Sequence, residues 1–271
     1  MLLVLGKGGV GRTTTAAMLA TAAHHSGLRV LVVAIDGREG LRGLCTTDID
    51  VRAVSAGSAL EDYLLDQGFG AFARRLASSG VIEVVGAAAP GIHDLVILGK
   101  VKQFAQSGRY DLVILDAPAT GHAMSMLSSV DGLLDIVEGG PIRDQARDVE
   151  RLLRDRDRCG AVVVTLAETT PVNESLELCA SLAQLNVSIA GGVIAAVEPT
   201  IDFADDAYAA ASGVLAGLHE RACDMTADIA RFRLGCSAAV RVVDRLPTTE
   251  LETSDIERLA GRWLTGWVHD A

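Results

Sequence analysis

The chain has 271 residues, 49% of them hydrophobic but only 4% aromatic, so its apolar content suits helices packed on a parallel sheet and excludes a surface built for base stacking. Its 24 Lys and Arg against 35 Asp and Glu give a formal net charge of −11, which excludes long-range attraction to phosphate backbones and makes nucleic acid an unexpected partner. No apolar run approaches the roughly 20 residues of a bilayer span, and Met1 leads into a strand without a basic leader; the expected address is the cytoplasm, with at most peripheral membrane contact and no stable insertion.

In chain order, short apolar or β-branched runs occur at residues 1–5, 28–35, 111–115, 160–166, 188–197 and 238–243, and they read as strands buried on both faces. Stretches with helical period separate them at Thr14–His25, Leu41–Leu44, Leu60–Leu76, Ile92–Ala105, Ile142–Leu153 and Asn173–Leu185. This alternation predicts an α/β fold with a doubly wound, mostly parallel sheet and helices on both faces, in a single domain over residues 1–271. Residues 198–236, acidic at first and then Ala-rich with helical period, are either a small helical insertion or a long crossover with extra turns, and the crossover is the preferred reading. The five cysteines (Cys45, Cys159, Cys179, Cys223 and Cys236) form no C-x-x-C pair, and buried free thiols are expected, with a metal site shared between subunits as the alternative.

The first strand runs into Gly6-Lys7-Gly8-Gly9-Val10-Gly11-Arg12-Thr13-Thr14 and then an Ala-rich helix. The spacing is that of the phosphate-binding loop G-x-x-x-x-G-K-S/T, with Arg12 at the lysine position. Gly8, Gly9 and Gly11 can take positive φ and let backbone N–H groups approach an anion, while the helix opening near Arg12 adds its positive dipole end. A nucleotide polyphosphate, ATP or ADP, is the expected occupant of residues Gly6 to Thr14, with Thr13 placing its hydroxyl on Mg²⁺ and Arg12 reaching the β and γ phosphates. Arginine binds phosphate through a planar fork rather than as a compact point charge, so binding follows from this loop more directly than hydrolysis. A G-x-G-x-x-G dinucleotide loop also fits Gly6, Gly8 and Gly11 by spacing, but Lys7 and Thr13-Thr14 are not the company it needs.

Two acids follow. Asp36 closes the second strand, where a carboxylate lies beside the phosphate crevice of a parallel sheet and can orient a water; the alternative is an N-cap for the helix from Arg38. Asp116 follows the apolar run Leu112-Val113-Ile114-Leu115, the arrangement in which a carboxylate holds Mg²⁺ through water.

The continuation Asp116-Ala117-Pro118-Ala119-Thr120-Gly121-His122 is similar to the switch II signature of the arsenical-pump and tail-anchored-protein targeting ATPases, the ArsA-like family. Lys7 ahead of two glycines resembles the second lysine of the same P-loop class, and Ala89 to Asp94, Gly140-Pro141-Ile142 and Leu166 to Glu174 resemble further segments of that family, so the likeness runs from Leu2 to Pro199. The resemblance implies a dimer in which Lys7 reaches the partner's nucleotide, Asp36 as the switch I acid that positions water, and Pro118, Thr120, Gly121 and His122 as parts of a loop responding to the γ phosphate. It also places Pro247 on the adenine side. Gly37-Arg38 stands where the family has Pro-Ala after Asp36, and Ala195-Ala196 where it has Asn-Arg.

The function expected on this basis is an ATP-binding and ATP-hydrolysing dimeric switch acting on an unknown client. The alternative is a hydrolysis-poor nucleotide-binding subunit that regulates an ArsA-like paralogue in a heterodimer, which Arg12 and Ala195 favour. A small-molecule kinase or ligase on the same fold is disfavoured by the switch II residues. Five dispersed methionines and the absence of C-x-x-C give no support to the client groove of the eukaryotic targeting factors. Ile256, Leu259, Ala260, Trp263, Leu264, Trp267 and Val268 share a helix face flanked by both charge signs, which reads as a packed last helix rather than a membrane-binding one.

Overall fold

The computed structural model describes residues 1–35, 39–66, 90–198 and 214–265. In chain order its elements are β1 (Leu2–Gly6), α1 (Arg12–His25), β2 (Val30–Ile35), α2 (Glu39–Leu44), β3 (Asp50–Val54), α3 (Ala56–Asp66), α4 (Pro90–Gln106), β4 (Leu112–Asp116), α5 (Thr120–Ile136), α6 (Pro141–Arg154), β5 (Gly160–Leu166), α7 (Thr169–Gln184), β6 (Ile189–Val197), α8 (Val214–Gly235), β7 (Val240–Asp244) and α9 (Thr253–Leu264).

Among the described residues the strands form one seven-stranded sheet in the order β3-β2-β4-β1-β5-β6-β7, and every pairing in it is parallel. Alternate side chains of each strand enter opposite layers. Leu3, Leu5, Leu31, Val33, Val113, Leu115, Ala161 and Val163 face a core closed by α3 to α8. Val4, Val32, Ile114, Val162 and Val164 face a second core closed by α1, α2 and α9. Both faces being covered explains why the central strands are nearly all apolar: the six residues of β2 are all buried.

Helix α1 lies flat on the second face because its side chains are small. Ala16, Ala17 and Ala20 are fully buried and Met18 nearly so, and a methionine of that burial contributes about 1.5–3 kcal/mol. Helix α9 closes over α1, burying Ile256, Leu259 and Ala260, with Trp263 packed at the margin under the Arg241 guanidinium, 4.7 Å from the ring centroid. The described part of the C-terminal apolar stripe is therefore core, whereas Leu264 is exposed and Trp267 and Val268 lie outside the described residues.

The structure departs from the sequence reading in several places. Strand β3 was not expected: its sequence Asp-Val-Arg-Ala-Val is half polar because it is an edge, where Tyr110 donates a hydrogen bond to Asp50 and Arg52 donates to the Tyr110 hydroxyl at 3.2 Å. The helix expected over Leu60–Leu76 begins at Ala56, and its part beyond Asp66 lies outside the described residues. Of the segment 198–236, residues 199–213 lie outside the described residues, while α8 joins the first core through Phe232, which is fully buried. Cys45, Cys159, Cys179 and Cys236 are buried, but Cys223 is exposed on α8, contrary to the expectation for all five. Among the described residues no helix is long and apolar enough to cross a membrane.

Candidate functional site

The C-terminal ends of β1 and β4 lie side by side at the centre of the sheet, with Val4 opposite Asp116. In an open parallel sheet this edge is where loops make a ligand crevice. Gly6 ends β1 in register with Val164 of β5, and a Cβ there would overlap the Val164 carbonyl oxygen, so only glycine lets the two strands meet as the loop begins.

The loop then turns through Gly9 and Gly11, whose φ angles of 84° and 89° are left-handed. Gly8 does not share that conformation, unlike the expectation for three such glycines. Val10 is buried in the second core and pins the loop between these turns. Gly11 caps α1 with no side-chain hydrogen bond and no acid follows in the first turn, so the backbone N–H groups of the helix start are not taken by a local carboxylate. A Cβ at Gly11 would sit 3.4 Å from the Cβ of Ala195, which brings the end of β6 against the loop. There the β6–β7 register slips between Ile194 and Val197, and Ala196 takes a left-handed φ of 53°.

Two contacts join the loop to β4. The Thr13 hydroxyl donates to the Asp116 carboxylate over 2.8 Å, and Asp116 is fully buried. Arg12 is also buried, and its guanidinium donates to the carbonyl oxygen of Ala117, the residue after that carboxylate. Thr14 is half-buried beside them. Residues Pro118 and Ala119 follow, and Thr120, Gly121 and His122 form the first turn of α5 rather than a loop.

That turn faces a second carboxylate. His122 Nε2 lies 3.9 Å from Oδ1 of Asp94 on α4, a residue only 6% exposed. Burial pushes the Asp94 carboxyl above its ordinary range, opposed by the neighbouring His122 and then His93. Lys7, on the open side of the loop, donates to Glu174 near the start of α7, and both side chains are partly solvated.

The structure thus brings together Gly6, Lys7, Gly8, Gly9, Val10, Gly11, Arg12, Thr13 and Thr14 with Asp116, and sets Pro118 to His122 at their margin. Asp36 lies outside the described residues; β2 ends one residue earlier, and Ala34 pairs with Asp116. Sequence reasoning missed Glu174 as the partner of Lys7 and Asp94 as the partner of His122. Both lie in segments whose family likeness was visible, but a cross-chain pairing leaves no signal in spacing. Chemically, a glycine turn whose helix start carries no side-chain cap, a hydroxyl and a buried carboxylate form a hard-oxygen and amide donor set, suited to a phosphate chain and its divalent cation.

Residues 1–139 match the model of the anion-transporting ATPase family. ATPase BagA of Mycobacterium tuberculosis is 31% identical over 216 residues, covering 71% of this chain and 63% of that protein. ATPase GET3C of Arabidopsis thaliana is 23% identical over 250 residues, covering 69% and 64%, and ATPase ARSA1 of Chlamydomonas reinhardtii is 23% identical over 255 residues, covering 67% and 33%. The chain spans less than two thirds of the length of each of these relatives.

Proposed function

Because the chain belongs to the anion-transporting ATPase family, we propose that it is an ATP-binding switch that hydrolyses ATP as a dimer. The observation carrying this reading is the Thr13 hydroxyl held 2.8 Å from the buried Asp116 carboxylate beside an amide-lined loop. These are the oxygen donors that a divalent cation takes, and the loop is the cradle that a triphosphate takes. Thr13 and, through water, Asp116 would hold the Mg²⁺ that accompanies ATP, which neutralises charge between the β and γ phosphates.

The protein's own groups then divide the work. Backbone N–H groups from Gly8 to Thr14 bind the phosphate oxygens. Arg12 places its cation at the end of the chain of phosphates. Asp36 orients a water and accepts its proton as the water attacks the γ phosphorus and the β–γ bridging oxygen departs with ADP. Lys7 exchanges Glu174 for the nucleotide of a partner subunit, so that assembly and hydrolysis are linked. Pro118 to His122 report the loss of the γ phosphate to α5, which Asp94 meets from α4.

A second reading, a hydrolysis-poor subunit that regulates an ArsA-like paralogue, is supported by the contact between Arg12 and the Ala117 carbonyl. A cation already committed to the backbone beside Asp116 is poorly disposed to follow charge developing on the γ phosphate. ATP binding, steady-state ATP turnover and light scattering with and without ATP, on the wild type and Asp36→Ala, separate the two. Turnover abolished by Asp36→Ala, with ATP-dependent association, supports the switch. ATP binding without turnover supports the regulatory subunit, and no ATP binding refutes both.

A further inference from the structure

Lysine is scarce in this chain: of its 24 Lys and Arg residues only three, Lys7, Lys100 and Lys102, are lysines. Lys100 and Lys102 lie on α4, where they pair with Asp62 at 2.8 Å and Asp148 at 3.2 Å. Lys7 is the lysine of the phosphate-binding loop, and in the free chain its ammonium pairs with the Glu174 carboxylate of α7. The two side chains are 53% and 30% exposed, and an ion pair so placed is ordinarily weak, because water screens it and both side chains must be held still. Here the backbone at both ends of the pair is fixed in advance.

At the loop, Lys7 stands between Gly6, wedged against the Val164 carbonyl, and Val10, buried in the second core. At the helix, Val172 is fully buried and α8 grips the first turns of α7. Thr169 donates to one oxygen of Asp228 at 2.9 Å, and Arg231 donates to the other at 2.6 Å. Arg231 also donates to the side chain of Asn173, the residue next to Glu174. Asp228 is only 4% exposed, so its carboxylate needs these donors and holds them in turn. The two helices close further along: a Cβ on Gly235 would overlap the Leu176 side chain, and a Cβ on Gly192 of β6 would lie 2.8 Å from the Phe232 ring, so both glycines let α8 come near. The grip on Thr169 and Asn173 spans the turn that presents Glu174, and the carboxylate stays within reach of the loop at little further cost in ordering.

We propose that Glu174 is an autoinhibitory acid: it retains the Lys7 ammonium within its own subunit, and association with a second, ATP-loaded copy of this chain requires that the phosphates displace it. The inference rests on the reading of Lys7 as the residue that reaches the partner's nucleotide. Without nucleotide no stronger anion is offered, and Lys7 stays with Glu174. With ATP the polyphosphate carries more charge than one carboxylate, and the exchange runs forward. In a symmetric dimer two such pairs open together, so the penalty on association is that of one pair squared. One exposed pair weighs an equilibrium by roughly two- to fivefold, and two of them by roughly four- to twenty-five-fold. Glu174 thereby sets how much nucleotide-dependent attraction is needed before two subunits close.

The test uses the full chain labelled with carbon-13 lysine, whose three lysines give three sets of side-chain NMR signals. In the free protein Glu174→Gln moves the Lys7 signal and leaves those of Lys100 and Lys102 in place; an unmoved Lys7 signal overturns the proposal. Sedimentation equilibrium then compares wild type, Glu174→Gln and the charge-matched control Glu177→Gln, an exposed acid one turn further along α7. With a non-hydrolysable ATP analogue and Mg²⁺, Glu174→Gln is expected to lower the dimer dissociation constant by roughly four- to twenty-five-fold. Glu177→Gln leaves it unchanged, and Glu174→Gln does not restore association to a Lys7→Ala chain. Equal constants for wild type and Glu174→Gln, a matching gain from Glu177→Gln, or a gain that persists without nucleotide or in the Lys7→Ala chain each overturns the proposal while leaving the dimeric switch standing. Analogue bound in equilibrium dialysis with no association in any chain refutes the dimeric switch itself, and the proposal falls with it.

Discussion

Replacing Thr13 by alanine tests the centre of the site, because one hydroxyl is expected to matter twice. In the free protein it donates to Asp116 at 2.8 Å, and Asp116 is fully buried. A hydrogen bond to a charged group contributes about 1.5–3 kcal/mol, which for a chain of this size lowers Tm by about 3–12 °C. Thr13→Ser keeps the hydroxyl and loses only a methyl, about 1 kcal/mol. In the nucleotide complex the same hydroxyl is expected on the cation, so the second effect is on ligand stabilisation. A ligand at about 100 times its Kd adds about 2.7 kcal/mol, or about 5–10 °C in Tm. The assay is thermal unfolding of wild type, Thr13→Ser and Thr13→Ala, each with EDTA, with ATP and EDTA, and with ATP and Mg²⁺. Wild type and Thr13→Ser gain an increment on adding Mg²⁺ to ATP; Thr13→Ala starts lower and loses that increment. If Thr13→Ala melts low but keeps the full magnesium increment, the hydroxyl only braces Asp116 and its assignment to the cation fails.

The remaining expectations separate packing from chemistry. Gly6→Ala pushes a methyl into the Val164 carbonyl with no side chain able to yield, costing about 1–3 kcal/mol, whereas Gly8→Ala meets open space and changes stability by less than about 0.5 kcal/mol; urea melts compare them. Lys7→Ala removes an exposed pair worth at most about 1 kcal/mol, so the free chain melts almost unchanged while the ATP-dependent association seen by light scattering is lost. For Asp94 the folded carboxyl is raised above its ordinary value of 3.8, so the stability that its neutral form contributes is complete below pH 3.8 and lost as pH rises through the folded value. Asp94→Asn is therefore expected to melt higher than wild type at pH 7, with the gain shrinking towards pH 4; a constant difference across that range contradicts the burial argument.

How much of this was legible in the sequence depended on whether the signal was local. The central strands show themselves because both faces are buried, and the loop from Gly6 to Thr14 because its glycines and hydroxyl sit at fixed spacing between a strand and a helix. β3 was not legible, since an edge strand needs one polar face and Asp50 and Arg52 break the apolar run. α5 was missed for a different reason. Its Thr-Gly-His opening reads as loop chemistry, and the helix declares itself only through Ala123, Met126, Leu127 and Val130, spaced three and four apart behind it. The pairs that tie the site together are the least legible of all. Lys7 and Glu174 are separated by 167 residues, and the meeting of α7 with the end of α8 is decided by Gly192 and Gly235 making room, which no local pattern announces.

Arg12 carries the choice between the two functional readings, and the structure suggests how to force it. A buried arginine must satisfy its fork or bear a desolvation cost, and here it does so partly on the Ala117 carbonyl, at the hinge between Asp116 and the start of α5. A lysine at this position is shorter and a point charge. It cannot brace that carbonyl and serve phosphate at once, whereas a guanidinium has donors on two edges. If the brace holds the switch in one setting at the expense of hydrolysis, Arg12→Lys lowers the stability of the free chain by about 1–3 kcal/mol and raises ATP turnover, since the cation is released to the γ phosphate. If Arg12 is already the working cation of the loop, Arg12→Lys lowers the stability by the same amount and leaves turnover equal or lower. Melting temperature registers the loss of the brace in both cases, so only turnover divides them, and an unchanged melting temperature removes the brace from the argument altogether.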